Sequence, residues 1–228
     1  MFKFAMIGCI AAGVMLAQEE TADKRLQNAA AVVHEMMGMP DKGIPNEVLE
    51  KAQCIVVIPE MKKAALVIGG QYGRGFASCK KSGGAWGSPA AVKLEGGSFG
   101  LQLGGQSTDV IMLVMNQRGM DRLTSDKFTL GADAAVAAGP VGRDARADTD
   151  VMMHAEILAW SRSRGVFAGI SLQGATMRPD KEENQKLYGK AMNNKEILDG
   201  GVATPEAARI LTSALNRSSE QADRPAKK

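Results

Sequence analysis

The chain has 228 residues, of which 45% are hydrophobic and 23% charged, and this composition suits one globular domain with a well-buried core. Its formal net charge is only +3, and aromatic residues make up 4% of the chain. It therefore lacks both the strongly basic surface and the stacking rings of nucleic-acid-binding proteins, and we expect no nucleic-acid partner.

The first residues have the pattern of a secretion signal. Lys3 supplies a positive start, residues 4–17 carry no charge, and polar Gln18 and acidic Glu19 follow directly. The uncharged run is shorter than the roughly 20 residues of a membrane-spanning helix. We predict a signal peptide over residues 1–17 and an exported protein of the periplasm or the outer envelope. Cys9 offers an alternative, a lipoprotein attachment site, but cleavage there would leave a very short apolar run.

An amphipathic helix is predicted over residues 26–37. Its apolar residues, among them Leu26, Ala29 and Val33, recur at intervals of three and four, which places them on one face. Gly38 and Pro40 end the pattern, and a short second helix follows Pro45. Two helices therefore precede the first strand.

The middle of the chain is rich in short strand-forming runs separated by glycines. Residues 54–58 and 65–68 are β-branched apolar runs, and the charged segment 59–63 between them is predicted as a turn. A short helix is predicted over 116–125. Further strand patterns cover residues 90–94, 99–103, 110–115, 128–138, 156–162 and 166–174.

Helices return after Pro179, and residues 217–228 form a polar segment that we predict to be a disordered tail. Helices at both ends of a run of strands are typical of an α+β fold. Glycine inside strands marks bulges and tight bends. We therefore predict a single domain over residues 18–216, with a strongly curved or barrel-like antiparallel sheet of about eight strands.

Two cysteines, Cys54 and Cys79, remain once the leader is removed. An even pair in an exported chain favours a disulfide, and the other interpretation is two buried thiols that pack as small apolar groups. Neither histidine lies near them in sequence, so we predict no metal site here. Three aspartates in a loop offer oxygen ligands for calcium, but they lack the spacing of a calcium loop; they are Asp144, Asp148 and Asp150.

Two glycine motifs resemble catalytic or phosphate-binding loops without their structural context. Residues 96–100 fit the G-x-S-x-G spacing of a hydrolase, with Asp133 and His154 downstream, but the serine opens an alternating strand instead of a strand–turn–helix. Residues 70–75 resemble a phosphate loop, yet no Gly-Lys-Ser/Thr follows. We predict no catalytic residue and no cofactor.

Positive charge is concentrated between residues 60 and 95, where six basic residues face only Glu60 and Glu95. Most of them lie in predicted turns, and Trp86 in the same region suits the interface of a bilayer. Each basic residue near an anionic surface contributes on the order of 1 kcal/mol. This pattern predicts a lipid-binding surface, with ordinary solvated turns as the alternative. The basic residues are Lys62, Lys63, Arg74, Lys80, Lys81 and Lys93.

Several runs in this order resemble the SYLF domain family, and the resemblance covers roughly residues 20–210. It implies a non-enzymatic domain that binds phospholipid, with phosphoinositides as the eukaryotic ligand and actin association in fungal members. The runs are CIVVIP at 54–59, GGQYGRG at 69–75, SFGLQLG at 98–104, QSTD at 106–109, KFTLGAD at 127–133, GPVGRD at 139–144 and SRSRGVFAG at 161–169.

The chain is similar to the small exported bacterial members of that family, which implies anionic phospholipid as the ligand. The family's lipid contact lies in its N-terminal amphipathic segment, which corresponds here to residues 26–37 together with Lys24 and Arg25. We therefore predict a peripheral domain that binds anionic membranes reversibly. The alternative is an envelope structural or protein-interaction module, whose partner the sequence does not identify.

Overall fold

The computed structural model describes residues 20–37, 43–65, 68–99, 104–141, 154–163 and 166–222. The predicted leader, Cys9, the three loop aspartates and residues 223–228 lie outside these ranges. The helices are α1 (Ala22–Met37), α2 (Asn46–Lys51), α3 (Gln117–Leu123), α4 (Lys181–Tyr188), α5 (Asn194–Leu198), a 3-10 turn (Glu206–Ala208) and α6 (Arg209–Ala222). The strands are β1 (Cys54–Ala65), β2 (Ile68–Cys79), β3 (Ala90–Phe99), β4 (Gly104–Val114), β5 (Phe128–Thr129), β6 (Val136–Ala138), β7 (Ile157–Ser163), β8 (Val166–Gly169) and β9 (Thr176–Pro179).

The strands of the described residues form one strongly curled sheet in the order β5–β9–β3–β2–β1–β4–β7–β6, and β8 also pairs with β7. This confirms the predicted α+β fold with a curved sheet and helices at both ends. All pairs are antiparallel except β6 with β7. A parallel pair needs a long crossover, and residues 139–156 between the two strands are enough for one.

Side-chain alternation along the strands gives the sheet two buried faces. On one face, which we call the helix-covered face, Ile55, Val57 and Phe76 pack in one cluster with residues of α1, α2 and α6. On the other, Val56 and Ile58 pack with residues of α3 and α5. The first and the last helix of the described residues therefore share one layer.

Helix α1 follows the predicted amphipathic pattern, but its apolar face is covered. Leu26, Ala29 and Val33 are fully buried against the sheet and α6. In contrast to the prediction, α1 thus offers no apolar face to a membrane in this structure. Nor does any helix in the described part of the chain have the length and apolar character of a membrane span.

Strand β1 does not turn at residues 59–63, as the charged segment predicted, but continues through a β-bulge. Its register shifts between Ile58 and Met61 relative to β4. Glu60 adopts a left-handed φ of 52° at the bulge, and its N–H donates to Asp109 Oδ1 at 2.9 Å. The bulge absorbs the extra residues, so that Met61 stays buried and Lys62 and Lys63 are strand residues.

The C-terminal helix extends into the segment predicted as a disordered tail. Helix α6 continues through residues 217–222, and Ser218 is buried within it. The side chains of Asn216 and Ser219 accept hydrogen bonds from the backbone N–H and the indole N–H of Trp86. The polar composition of this segment predicted a solvated tail, but Ser219 within it accepts a hydrogen bond from Trp86.

The two cysteines are register partners at the ends of β1 and β2, and a disulfide joins them. They are 25 positions apart in sequence, and both are buried. A bridge of this span limits the conformations of the unfolded chain. The disulfide therefore closes the end of the β1–β2 hairpin opposite the turn.

Reduction of the Cys54–Cys79 bridge is expected to lower the free energy of unfolding by about 3 kcal/mol, because the unfolded chain regains the entropy of the open loop. Denaturation curves with and without reductant measure the difference. A Cys54→Ala/Cys79→Ala variant is the control, and its curves should not respond to reductant. Two free thiols in the oxidised protein under denaturing conditions would contradict the bridge.

Candidate functional site

Two of the predicted lipid-binding residues, Arg25 and Arg74, are buried in ion pairs. Arg25 Nη1 lies 2.5 Å from Glu183 Oε1. Arg74 Nη2 lies 2.6 Å from Asp180 Oδ2 and 3.1 Å from Glu183 Oε2. Their guanidinium groups are already paired with carboxylates inside the protein, and lipid binding by these two residues stays a prediction.

These residues belong to a group that we call the ionic cluster. Asp180 Oδ1 also lies 3.2 Å from Lys93 Nζ, and its carboxylate accepts the Glu183 N–H at the start of α4. Burial alone would lower the pKa of Arg74, but the hydrogen bond and charge of Asp180 outweigh it, so the pKa is raised and the side chain stays charged. The cluster ties α1, β2, β3 and α4 together through Arg25, Arg74, Lys93, Asp180 and Glu183.

Trp86 and Lys80 form a second internal contact. Trp86 is buried, and its indole N–H donates to Ser219 Oγ at 2.8 Å. The Lys80 ammonium lies 5.2 Å from the centroid of that ring and donates to the Leu49 and Glu50 carbonyls at the end of α2. Trp86 therefore anchors α6 from a buried position, and its predicted contact with a membrane interface stays a prediction.

The remaining basic residues of the prediction are separate from one another. Lys24, on α1, and Lys81, in the turn after β2, are exposed. Lys62 is exposed and Lys63 is half-buried on β1, where neighbouring side chains point to opposite faces of the sheet. The predicted residues do not form one continuous basic surface.

The structure instead brings together a row of residues that crosses five strands. Their register pairs are Ser107 with Lys62, Lys62 with Tyr72, Tyr72 with Glu95, and Glu95 with Thr176. Tyr72 lies two positions before Arg74 in β2 and four before Phe76, so the row continues the helix-covered face beyond the ionic cluster. We call this row, with Arg178, the open sheet surface.

The open sheet surface combines an exposed aromatic ring with charges of both signs. Tyr72 is 43% exposed. Arg178 Nη2 lies 2.6 Å from Glu95 Oε1 on one side of it. On the other side lies Lys62, which has no ion pair within the described residues. The Phe76–Arg74–Tyr72 alternation is a signal that would have placed Tyr72 on this face.

The next row on this face contains two neighbouring glycines beside Ala64 of β1. Gly70 and Gly97 are register partners with ordinary extended φ values. A Cβ atom would meet only the Gly96 carbonyl at 4.0 Å from Gly70, and nothing within 4 Å from Gly97. Packing against the described residues therefore does not require glycine at either position, and neither β2 nor β3 carries a side chain there.

The alternative chemical motifs acquire no catalytic geometry. Ser98 continues β3 and pairs with Gly69, so it does not stand on a strand–turn–helix elbow. The Asp133 carboxylate accepts the Thr129 N–H in a local turn. Residues 70–75 lie within β2. No group of three or more metal-binding side chains occurs in the ranges that the structure describes.

A family model described as "Ysc84: Las17-binding protein actin regulator" matches residues 95–218. The chain belongs to the SYLF (Ysc84) family. The expected SYLF resemblance is thereby confirmed, and the family description is that of a binding and regulatory protein. The matched residues include Glu95, Thr176 and Arg178 of the open sheet surface and both carboxylates of the ionic cluster.

Individual SYLF relatives agree with this assignment. The chain is 33% identical over 184 residues to "SH3 domain-containing YSC84-like protein 1" of Xenopus laevis, covering 80% of this chain and 55% of that protein. It is 32% identical over 178 residues to "Protein YSC84" of Saccharomyces cerevisiae, covering 77% and 38%. The yeast "LAS seventeen-binding protein 3" matches at 32% identity, covering 77% and 39%. The chain thus spans about half the length of the vertebrate relative and less of the yeast ones.

Proposed function

We propose that the chain is a non-enzymatic binding module that docks a protein partner through the open sheet surface. The observation that carries the proposal is the exposed Tyr72 between Lys62 and Glu95, on a sheet row that the helices leave uncovered. Tyrosine is enriched in protein interfaces because a large ring and a hydroxyl group bind at little entropic cost. The family description as an actin regulator and the name of the yeast relative support a protein partner.

The charges of this surface favour a protein over a membrane. Glu95 is part of it, and a carboxylate is repelled by anionic lipid. Two residues of the predicted lipid site, Arg25 and Trp86, are buried, and Arg74 is partly buried in its ion pairs. The exposed lysines that remain are distributed over α1, β1 and the turn after β2. A protein with complementary charges of both signs fits the row better than a uniformly negative surface.

Anionic phospholipid is the second candidate. Lys62 on β1 is the register partner of Tyr72, an aromatic residue with a polar tip that suits a bilayer interface. This arrangement supports a small membrane contact of one lysine and one ring. Export remains part of this proposal, and the intact mass of the purified protein would show whether residues 1–17 are removed.

A Tyr72→Ser/Lys62→Glu variant tests the two candidates together. Actin filaments serve as a defined protein probe because of the family description, and vesicles with and without an anionic phospholipid serve as the lipid probe. We expect the wild type to co-sediment with filaments and the variant to lose at least tenfold in affinity. A Lys24→Glu/Lys81→Glu variant, with the same or larger charge change elsewhere, should bind filaments as the wild type does.

The result pattern separates the readings. Binding to anionic vesicles alone, with losses that follow charge at all three substituted lysines, would favour the lipid proposal. Binding of the wild type to neither probe would contradict actin and anionic lipid as the ligands. Equal loss in both variants would contradict the assignment of the site to Tyr72. Circular dichroism of each variant checks that the fold is retained.

A further inference from the structure

Glu60, at the bulge of β1, holds a backbone conformation that costs free energy. Its φ of 52° is the only positive value among the described residues other than glycine. In this left-handed region the Cβ atom crowds the following carbonyl oxygen, and glycine is the usual residue at a left-handed bulge position. The Glu60 side chain is exposed, so core packing does not require a glutamate here. Backbone strain of this kind is concentrated at functional sites.

The neighbouring strands accommodate this strained residue from both sides. Relative to both β2 and β4, β1 has one extra residue at the bulge. In β2, Gly73 leaves room for the bulged strand, since a Cβ atom there would lie 2.5 Å from Ile58 Cγ2. In β4, Asp109 Oδ1 accepts the Glu60 N–H at 2.9 Å. These contacts fix the position of Glu60 in the sheet.

The charge of Glu60 is also unfavourable within its own fold. Burial raises the pKa of Asp109, and the nearby negative charge of Glu60 raises this pKa further, against the lowering effect of the hydrogen bond from the Glu60 N–H. Asp109 has a cation of its own, because its Oδ2 lies 2.5 Å from Arg162 Nη2. Glu60 forms no ion pair within the part of the chain that the structure describes. Its carboxylate therefore faces a like charge without a compensating cation.

This carboxylate borders the open sheet surface. Glu60 comes two residues before Lys62, the register partner of Tyr72. Asp109, which holds the Glu60 N–H, comes two residues after Ser107 in β4 and so lies on the same face of the sheet as that row. A protein that docks over Tyr72 therefore passes close to Glu60.

We propose that Glu60 determines the specificity of the docking site by binding a lysine or arginine side chain of the protein partner. The inference rests on the proposed docking function and adds the charge of one partner group. A cation at this position would offset the repulsion between Glu60 and Asp109, which the unbound protein has to bear. The partner then presents this cation next to the negative group that complements Lys62.

Two neutral variants, Glu60→Asn and Glu60→Gln, test this role in the whole chain. Asparagine tolerates the left-handed region, so Glu60→Asn should shift the denaturant midpoint upward. Both variants lose the carboxylate, and we expect both to bind actin filaments about fivefold more weakly in co-sedimentation. Glu47→Gln removes an exposed glutamate from α2, at the other end of β1, and should bind as the wild type does.

Greater stability together with weaker binding in Glu60→Asn is the result that distinguishes a functional residue from a structural one. A lower denaturant midpoint for Glu60→Asn would overturn the inference whatever the partner is. Unchanged filament binding by both Glu60 variants, with loss in Tyr72→Ser/Lys62→Glu, would overturn it while the docking function stands. A wild type that does not bind filaments would contradict actin as the docking partner, and the inference would fail with it.

Discussion

Replacing Asp180 by alanine is expected to lower the free energy of unfolding by about 3–5 kcal/mol, the cost of breaking a buried ion pair from one side. The substitution removes the carboxylate that pairs with Lys93 and one of the carboxylates that pair with Arg74. It also removes the side-chain cap of α4, where Asp180 accepts the Glu183 N–H. Denaturant unfolding followed by tryptophan fluorescence measures the loss, since Trp86 and Trp160 are both buried.

Asp126→Ala is the matched control for this effect. Asp126 also pairs with a lysine, Lys181, at 3.6 Å, but both side chains are largely exposed. Surface pairs of this kind contribute little because water screens them, and no measurable change is expected. Asp180→Asn keeps an acceptor for the helix cap and should lose less than Asp180→Ala. Similar small losses in all three variants would show that the ionic cluster does not hold the fold together.

Gly75→Ala is expected to destabilise the protein by about 3 kcal/mol through overpacking against the neighbouring strand. A Cβ atom at this position would lie 2.0 Å from the Val57 carbonyl oxygen and 2.8 Å from the Ile58 Cα. Both are backbone atoms of β1 just before the bulge, so a rotamer change cannot relieve the clash. Thermal unfolding by circular dichroism measures the effect.

Gly97→Ala, in the row beside the open sheet surface, is the corresponding control. A Cβ atom there meets nothing within 4 Å, and the backbone conformation is one that alanine adopts. The change should stay within about 1 kcal/mol, because alanine mainly reduces the freedom of the unfolded chain. Equal losses of thermal stability in the two variants would contradict the close approach of β1 and β2 at Gly75.

The parts of the fold that were predictable depend on residues that are near one another in sequence. The three-and-four spacing of Leu26, Ala29 and Val33 is enough to define α1 and its buried face. The glycines within strands indicated bulges and bends, and β1 has its bulge opposite Gly73 and Gly75. Local patterns of this kind predicted the elements and the curved sheet.

The parts that were not predictable depend on distant partners. Arg25 and Glu183 are 158 positions apart, and Trp86 and Ser219 are 133 apart. A basic or aromatic residue in a polar segment gives no local sign of such a partner, so these side chains were assigned to a membrane surface. The segment around Pro59 and Glu60 was predicted as a turn for the same reason. Only its pairing with the distant strand β4 distinguishes a bulge from a turn.

The shared layer of α1 and α6 has a consequence for synthesis of the protein. The first helix packs against the last, and both cover Ile55 and Phe76 of the sheet. A nascent chain cannot fully cover this face until residues 209–222 have left the ribosome, so some of its apolar strand residues stay exposed until then. The domain therefore completes its folding only once α6 has been synthesised, and a chain that stops before α6 becomes a target for chaperones or aggregation.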